Sequence, residues 1–444
     1  MKKNESDNNL GNNDSSILIL GMITKTWNKE IHGLFNYESR SCEKTKLFFD
    51  ENSDVIRTKS KVSKIKKFIE EKNNNYTNFN DSELLFSVKK ENDNYIIYKE
   101  LNFNQKPSIK NIDSITKNLW YVINSDNERK YYKSSSKYNE DYFLNKNDII
   151  KLGRIKFILR EYHIDESDNS NFFENKENNY NLWFLNKTYI VFNMEFNAET
   201  LENNNLNNKI LCNICYSEEN KENNPLVSLC SCDGGMKYTH VNCIKLWIKT
   251  KLIIKENQRK NVKNYIFNNF NCKICKTPFP FSFKIKNKIF NMFDIDIPQK
   301  ENYIILESLD QIKDNNNYKS IHVITLNDEN YIIGRGHDCD IRLNDISVSR
   351  VHSLIHFDMI RKLLLIRDLK SKFGTLILIK KPINILNKYL RIQIGRTYIE
   401  TKLVKEEEVK EYFKENEKGL ILFGNISNDN LTTDSDSNIS YIFS

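Results

Sequence analysis

The feature that most constrains the fold is a regular array of cysteines with one histidine between positions 212 and 275. The array reads C-x2-C, fourteen residues, C-x-C, seven residues, H-x2-C, twenty-eight residues and C-x2-C. Thiolates and a neutral imidazole suit tetrahedral Zn2+, which structural sites bind with four protein ligands. Eight candidates therefore predict two closed zinc sites. The predicted ligands are Cys212, Cys215, Cys230, Cys232, His240, Cys243, Cys272 and Cys275.

Composition limits the cell compartments and the binding partners that we expect for this chain. No apolar stretch reaches the roughly 18 residues of a membrane span, and the polar start lacks an apolar signal segment. We therefore expect a soluble cytoplasmic or nuclear protein, where clustered cysteines favour metal over disulfides. Cys42 and Cys339, outside the array, are predicted to be plain thiols. The net charge of +8 does not require nucleic acid as a partner. The basic run at 57–72 is interpreted as a solvated helix face.

Patterning predicts a multidomain chain, with a small finger followed by an all-β sandwich and preceded by a β-rich region. The predicted parts are a disordered start (1–16), a β-rich region (17–165), a linker (166–208), the finger (209–282), a β-sandwich (300–404) and a mostly disordered tail (405–444). Short apolar runs predict the strands of the sandwich. These runs are Tyr303–Leu306, Ile321–Leu326, Tyr331–Gly334, Ser353–Phe357, Leu363–Arg367, Leu376–Ile379 and Leu390–Ile394.

The array resembles the RING-CH zinc finger of membrane-associated ubiquitin ligases. The single residue between Cys230 and Cys232, the gap before His240, and Tyr238 and Trp247 around the later ligands carry the resemblance. A PHD finger uses the same order of ligand types, but the gap and Trp247 favour RING-CH. The resemblance implies a cross-brace, with one ion on Cys212, Cys215, His240 and Cys243 and the other on Cys230, Cys232, Cys272 and Cys275.

This resemblance implies a RING-type ubiquitin-protein transferase that has no catalytic residue of its own. Such a ligase recruits a ubiquitin-conjugating enzyme and gains rate by positioning the ubiquitin thioester. The matching contact positions here are Ile214, Trp247 and Pro278, and Lys276 occupies a place where a cation can touch ubiquitin. The membrane helices of that family have no counterpart here, so we expect another mode of targeting. A non-enzymatic adaptor with a structural finger is the alternative hypothesis.

A second resemblance lies in residues 331–375. A strand ending in Gly334-Arg335, then SVSRVH at 347–352 and DLKSKFGT at 368–375, is similar to the forkhead-associated (FHA) domain. That domain is a β-sandwich whose loops bind phosphothreonine peptides, and forked guanidinium and hydroxyl groups suit a dianionic phosphate. The resemblance implies phosphate contacts from Arg335 and Ser349. It also places Arg350 and Lys372 on loops that face the peptide, and gives Gly334 and His352 structural roles.

Two departures qualify this second resemblance. Phe373 stands where the family usually has an asparagine, and a phenyl ring cannot make the hydrogen bonds of an amide. In the N-terminal region, residues 147–154 resemble the closing strands of an FHA fold, yet no Gly-Arg and Ser-x-x-His pair precedes them. That region is therefore either a degenerate FHA-like domain or a generic β domain.

Overall fold

The computed structural model describes most of the chain. It covers residues 18–27, 34, 41–66, 82–92, 94–99, 118–123, 141–164, 199–200, 210–257, 260–268, 270–280, 282–285, 288–298, 301–309, 319–385 and 389–414. The predicted start (1–16) and most of the predicted linker and tail lie outside these residues.

The N-terminal half of the chain contributes two groups of strands. The first group is β1 (Leu18–Trp27), β2 (Cys42–Phe49), β3 (Ser53–Thr58), β4 (Lys61–Lys66), β5 (Ser82–Glu91), β6 (Asn94–Tyr98) and β7 (Leu119–Ile123). The second group is β8 (Tyr142–Phe143), β9 (Ile149–Leu152) and β10 (Ile155–His163).

Short elements lie around the cysteine array, between the two halves of the chain. These are β11 (Glu199–Thr200), β12 (Leu226–Ser228), a 3-10 turn (Gly234–Met236), β13 (Thr239–His240), α1 (Val241–Lys249), β14 (Ile253–Asn257), β15 (Val262–Phe267), β16 (Ser282–Ile285) and β17 (Lys288–Asn291).

The C-terminal half repeats the arrangement of the N-terminal half. Its first group is β18 (Tyr303–Ser308), β19 (Lys319–Thr325), β20 (Asn330–Gly334), β21 (Ile341–Arg342), β22 (Ser353–Asp358), β23 (Leu363–Asp368) and β24 (Thr375–Leu378). Its second group is β25 (Ile383–Ile385), β26 (Leu390–Ile394) and β27 (Thr397–Lys405), followed by a helix, α2, at residues 406–414.

The strands build two β-sandwiches with matching strand order. The first sandwich packs the strands β2-β1-β27-β26-β7 against a sheet ordered β4-β3-β5-β6-β25. The second sandwich packs β19-β18-β10-β9-β24 against a sheet ordered β21-β20-β22-β23-β8. Each sandwich is thus made of one half's seven leading strands and the other half's three closing strands. The two halves of the chain exchange their closing strands.

The exchange follows from the pairing of the two central strands. Strands β7 and β24 lie antiparallel to each other, with Leu376 opposite Val122, and they join the sandwiches into one continuous sheet. Trp120, Val122 and Leu376 pack together on one face of this junction. After β24 the chain needs only residues 379–382 to reach β25 in the first sandwich. The sandwiches therefore do not follow the boundaries 17–165 and 300–404 that the sequence predicts.

The finger is built into the second sandwich. Strand β15 pairs with β19, so the hairpin β14–β15 extends the continuous sheet to twelve strands. Every residue of β18 is buried because both faces of this strand are covered. Ile304 and Leu306 face the core of the second sandwich, whereas Tyr303 and Ile305 face a core shared with the finger. The finger and the second sandwich therefore share one close-packed core.

The predicted strands of the second β-rich region are all observed, and their alternating burial explains them. In β22, for example, Ser353, Ile355 and Phe357 are buried while the intervening residues are not, as expected for a sheet with one covered face. The helix interpretation of residues 57–72 is wrong over its described part. There, β3 and β4 form a hairpin joined by Lys59, which has φ 54°.

Candidate functional sites

The cysteines and the histidine come together as two clusters of four. One contains Cys212, Cys215, His240 and Cys243, and the other contains Cys230, Cys232, Cys272 and Cys275. Within each cluster the candidate ligand atoms lie within 4.8 Å of one another. Ligand pairs thus alternate along the chain between the clusters, which is the cross-brace that the resemblance implies.

The spacing of the ligand atoms fits a tetrahedral ion. Tetrahedral Zn–S bonds of roughly 2.3 Å would place two sulfur atoms about 3.8 Å apart, and Cys232 Sγ lies 3.7 Å from Cys272 Sγ. In the other cluster His240 Nδ1 lies 3.3 Å from Cys215 Sγ and 3.8 Å from Cys243 Sγ. The donor set and its spacing are therefore compatible with two zinc ions.

Groups around the clusters orient the ligands. His240 Nε2 lies 2.5 Å from the carbonyl oxygen of Glu219, so this nitrogen donates its proton there and leaves Nδ1 to bind a cation. The backbone N–H groups of Ile214 and His240 each point at Cys212 Sγ from 3.4 Å. Both C-x2-C loops are followed by a left-handed residue, Tyr216 (φ 58°) and Lys276 (φ 61°), that reverses the chain.

The thiols have strongly divergent acidities. Burial raises the pKa of Cys230 to about 12, and it does the same for Cys243. Hydrogen bonds from Thr277 lower the pKa of Cys275 to about 6. A cation lying among the adjacent thiols would favour their thiolate forms.

An apolar groove of about 240 Å³ runs along the finger, and Cys230 and Cys272 of the second cluster are among the residues that line it. Ile214, between the first two ligands, and Trp247, on α1, both line it. Trp247 is held edge-on against Phe279, with ring centroids 5.9 Å apart, and Lys273 Nζ lies 5.9 Å from the indole centre. Apolar residues outside the predicted contact set also line it, namely Leu229, Met236, Ile244, Ile274 and Phe279.

The other two predicted contact residues of the finger lie outside the groove lining. Pro278 is exposed and forms an isolated β-bridge with Asn271, and its neighbour Phe279 lines the groove instead. Lys276 is exposed, and its Nζ donates a hydrogen bond to the carbonyl oxygen of Lys273 at 2.8 Å. An aromatic residue just after the last ligand pair was the sequence signal for Phe279.

The loops of the second sandwich bring the predicted phosphate-binding residues together. Arg335 follows β20, is exposed, and donates its backbone N–H to the carbonyl oxygen of Ser349 at 2.9 Å. Its side-chain Nε donates to the carbonyl oxygen of Val348 at 3.3 Å. Ser349 Oγ accepts a hydrogen bond from the backbone N–H of Lys372 at 3.1 Å, so its hydroxyl proton can point outward. The guanidinium and the hydroxyl thus lie on directly connected loops.

Gly334 and His352 take the structural roles that the resemblance implies. A Cβ on Gly334 would lie 2.3 Å from the carbonyl oxygen of Arg350, so only glycine lets the loop approach the strand end this closely. His352 is fully buried, its Nδ1 accepts from the N–H of Ser349 at 3.1 Å, and its Nε2 lies 3.2 Å from the carbonyl oxygen of Gly374. One imidazole therefore fixes two loops.

The remaining predicted residues lie on the rims of these loops. Arg350 and Lys372 are both exposed. Phe373 is half-buried, and Lys372 Nζ lies 5.4 Å from the centre of its ring. The structure therefore brings Arg335, Ser349 and Lys372 close together, with an aromatic ring where an amide is usual.

Among the residues that the structure describes, the third strand of the first sandwich presents no exposed arginine like Arg335. This strand carries Arg57, of which only 7% is exposed. The Arg57 guanidinium donates to Thr397 Oγ1 at 2.9 Å and to Glu83 Oε2 at 2.5 Å. These partners engage the guanidinium inside the fold, and the residues predicted to bind phosphate all lie in the second sandwich.

Comparisons with known proteins find two family matches in this chain. Residues 212–275 match the family model of the RING-variant domain, and residues 331–396 match that of the FHA domain. The chain therefore carries a RING-variant domain and an FHA domain. The residues that match the FHA model are divided between the two sandwiches. Residues 375–378 belong to the second sandwich, whereas residues 383–394 belong to the first.

Two solved FHA structures are similar to part of the chain. One, from a study of phosphothreonine-dependent FHA domain interactions, is 29% identical, covers 21% of this chain and 91% of its own, and has a TM-score of 0.13. The other is the FhaA FHA domain complexed with the intracellular domain of a second protein. It is 26% identical, covers 21% of this chain and 96% of its own, and has a TM-score of 0.11.

A comparison with curated proteins finds no match. Within the described residues, no helix has the length and apolar character to cross a bilayer.

Proposed function

We propose that this chain is a RING-CH-type ubiquitin-protein ligase that binds two zinc ions and recognises phosphothreonine-containing partners. The observation that carries the proposal is the groove in which the cross-brace brings together Ile214 and Trp247. A half-buried aromatic in an apolar groove with basic neighbours is typical of a protein-docking hot spot. The occupant we propose is a ubiquitin-conjugating enzyme loaded with ubiquitin.

The finger would position the ubiquitin thioester and would take no covalent part in the reaction. Holding the thioester beside an acceptor lysine lowers the entropic part of the barrier. Lys273 and Lys237 line the groove, and they would favour a partner with an acidic rim. Zinc would supply only the rigid scaffold, because four protein ligands close each site.

The second sandwich would bind the phosphorylated substrate or scaffold protein. Arg335 and Ser349 would hold the phosphate, with Arg350 and Lys372 beside the peptide. Because β15 pairs with β19 and the two modules share a core, the docked enzyme would stand at a fixed distance from the phosphothreonine. Such a unit would select acceptor lysines by their spacing from the phosphate, unlike a flexible tether. We place this activity in the cytoplasm or nucleus.

The test of the enzymatic half is an autoubiquitination assay with the full chain and a panel of conjugating enzymes. We expect Trp247→Ala to lower chain formation on the order of tenfold or more. Leu246→Ala is the matched control, because Leu246 lies on the same helix, is 65% exposed and does not line the groove. Equal activity of wild type and Trp247→Ala would reject the proposed docking groove.

The same experiment separates the ligase from the adaptor. An adaptor would bind two zinc ions and phosphopeptides but would form no ubiquitin chains with any conjugating enzyme. Zinc content is measured by native mass spectrometry, and phosphopeptide binding by a phosphothreonine peptide library. Arg335→Ala should abolish phosphopeptide binding, whereas Arg342→Ala, an exposed arginine on β21, should leave it unchanged.

A further inference from the structure

The exchange brings a turn of the N-terminal half against the phosphate-binding loop of the C-terminal half. Gly153 and Arg154 form the turn between β9 and β10, and Gly153 has φ +60°. A Cβ on Gly153 would lie 2.4 Å from Ser347 Oγ and 2.6 Å from the Ser347 carbonyl oxygen. Two segments 193 residues apart in sequence are thus in direct backbone contact at the start of the loop that carries Ser349.

Arg154 makes the polar part of this contact. Its backbone N–H donates to Ser347 Oγ at 2.9 Å, and its guanidinium Nη2 lies 3.2 Å from one Asp345 oxygen and 3.3 Å from the other. The Asp345 side chain is 4% exposed, whereas that of Arg154 is 37% exposed. Asp345 also accepts hydrogen bonds from the backbone N–H and the hydroxyl of Ser347, at 2.8 and 2.5 Å. Arg154 is therefore the counter-charge of a buried carboxylate that shapes this loop.

We propose that Arg154, carried by an exchanged hairpin, is a positioning residue for the phosphothreonine site of the other half of the chain. It touches no ligand itself. It acts through Asp345 and Ser347 on the loop that presents Ser349, and this inference rests on the proposed phosphopeptide binding. The phosphate site is consequently composite, and residues 300–404 alone would lack one of its supports.

A second Gly-Arg turn, which lies in the first sandwich, serves as the control for this role. The turn between β26 and β27 repeats the pattern with Gly395 and Arg396, and Gly395 also has a positive φ, of 50°. Arg396 donates to the carbonyl oxygens of Trp27 and Lys59, and these lie in the first sandwich. Each half of the chain therefore gives a Gly-Arg turn to the other half, but only Arg154 meets a phosphate-binding loop.

The experiment compares Arg154→Ala, Arg154→Lys and Arg396→Ala in the full chain. Affinity is measured for a phosphothreonine peptide selected from a library, with the unphosphorylated peptide as blank. We expect Arg154→Ala to weaken binding about fivefold, the effect of one partly exposed ion pair. Arg154→Lys should restore most of the affinity, and Arg396→Ala should retain it. Unchanged affinity in Arg154→Ala, or equal losses in Arg154→Ala and Arg396→Ala, would overturn the proposal.

Hydrogen exchange of the ligand-free chain distinguishes this inference from the function on which it rests. Arg154→Ala should speed exchange of the backbone amides at 345–351 while leaving those of the finger and the first sandwich unchanged. If wild type bound no phosphopeptide at all, the proposed function would fail, and the exchange result would still decide whether Arg154 orders the loop. Unchanged exchange at 345–351 would refute the positioning role.

Discussion

Asp141 and Arg367 form a bidentate ion pair across the two halves of the chain. Arg367 Nε and Nη2 donate to the two Asp141 oxygens at 2.6 and 2.8 Å. The Asp141 side chain is 3% exposed and that of Arg367 is 39% exposed. Asp141 lies just before β8, which pairs with β23 of the second sandwich. The pair therefore exists only if the closing strands are exchanged, and it gives a direct test of the exchange.

A double-mutant cycle on this pair should reveal the exchange in solution. We expect Arg367→Ala and Asp141→Ala each to destabilise the chain by about 1–3 kcal/mol, the range for a hydrogen bond to a charged group. The double variant should lose less than the sum, with a coupling energy of about 1 kcal/mol or more. Denaturant unfolding provides the measurement, and additive losses would mean that the two residues do not touch.

The sequence could predict what depends on short-range spacing and could not predict what depends on the choice of partner strand. The eight ligands and the Gly334-Arg335 and Ser349 blocks are local patterns, and the structure brings each set together. The hairpins β9–β10 and β26–β27 have similar alternation and the same Gly-Arg turn, so either would suit either sandwich. The short connection 379–382 is the physical feature that directs β25 into the first sandwich.

The same reasoning explains the N-terminal region. Residues 147–154 resemble the closing strands of an FHA fold because they belong to strands that close a sandwich. The sandwich that they close is the second one, whose leading strands come from the C-terminal half of the chain. The matching Gly-Arg and Ser-x-x-His blocks accordingly lie downstream at 334–352. The groove of the finger was only partly predictable, because Met236 and Ile274 reach it through the folding of loops around the clusters.

Removal of metal should loosen one sandwich more than the other. Chelation would release the loops around both clusters and, through β15, the edge of the sheet at β19. We expect faster amide exchange in the finger, β19 and β18, and little change in β1 and β27 of the first sandwich. Hydrogen exchange with and without a strong chelator is the measurement. A uniform response of both sandwiches would contradict the shared core between the finger and the second sandwich.

Acid should destabilise the chain through His322 on β19. This imidazole is buried against Phe157, and it contacts Asn264 Oδ1 at 2.6 Å and Ser320 Oγ at 2.9 Å. Burial lowers its pKa to about 3. Below an ordinary pKa of about 6.5 the unfolded chain binds a proton that the folded chain does not, so stability falls as pH falls.

The expected slope is about 1.4 kcal/mol per pH unit below roughly pH 6. His322→Gln can keep a hydrogen bond but cannot titrate, so this part of the slope should disappear. Denaturant unfolding of both proteins between pH 5 and pH 7 isolates the effect, because loss of zinc in acid affects them alike. Parallel stability curves for the two proteins would show that His322 is protonated in the fold.

The close approach of Gly334 to the Arg350 carbonyl oxygen predicts a substitution that impairs only the phosphate site. Gly334→Ala would place a methyl group within 2.3 Å of that oxygen, so the loop that carries Ser349 must move. We expect phosphopeptide binding to fall at least about tenfold, with zinc content unchanged. Gly235→Ala is the matched control, since a Cβ there meets nothing within 4 Å. Full binding by Gly334→Ala would show that the loop tolerates the shift.

Phe373 offers a gain-of-function test. Its ring is half-buried beside Lys372, at the position where FHA domains usually carry an asparagine that bonds the peptide backbone. An amide there could both donate and accept hydrogen bonds, each contributing about 1 kcal/mol. Phe373→Asn should therefore tighten phosphothreonine peptide binding about fivefold. Phe373→Leu is the control, because leucine is apolar and supplies no amide. If Leu tightened binding as much as Asn, removal of the ring would be the cause, and the backbone-bonding role of this position would be refuted for this chain.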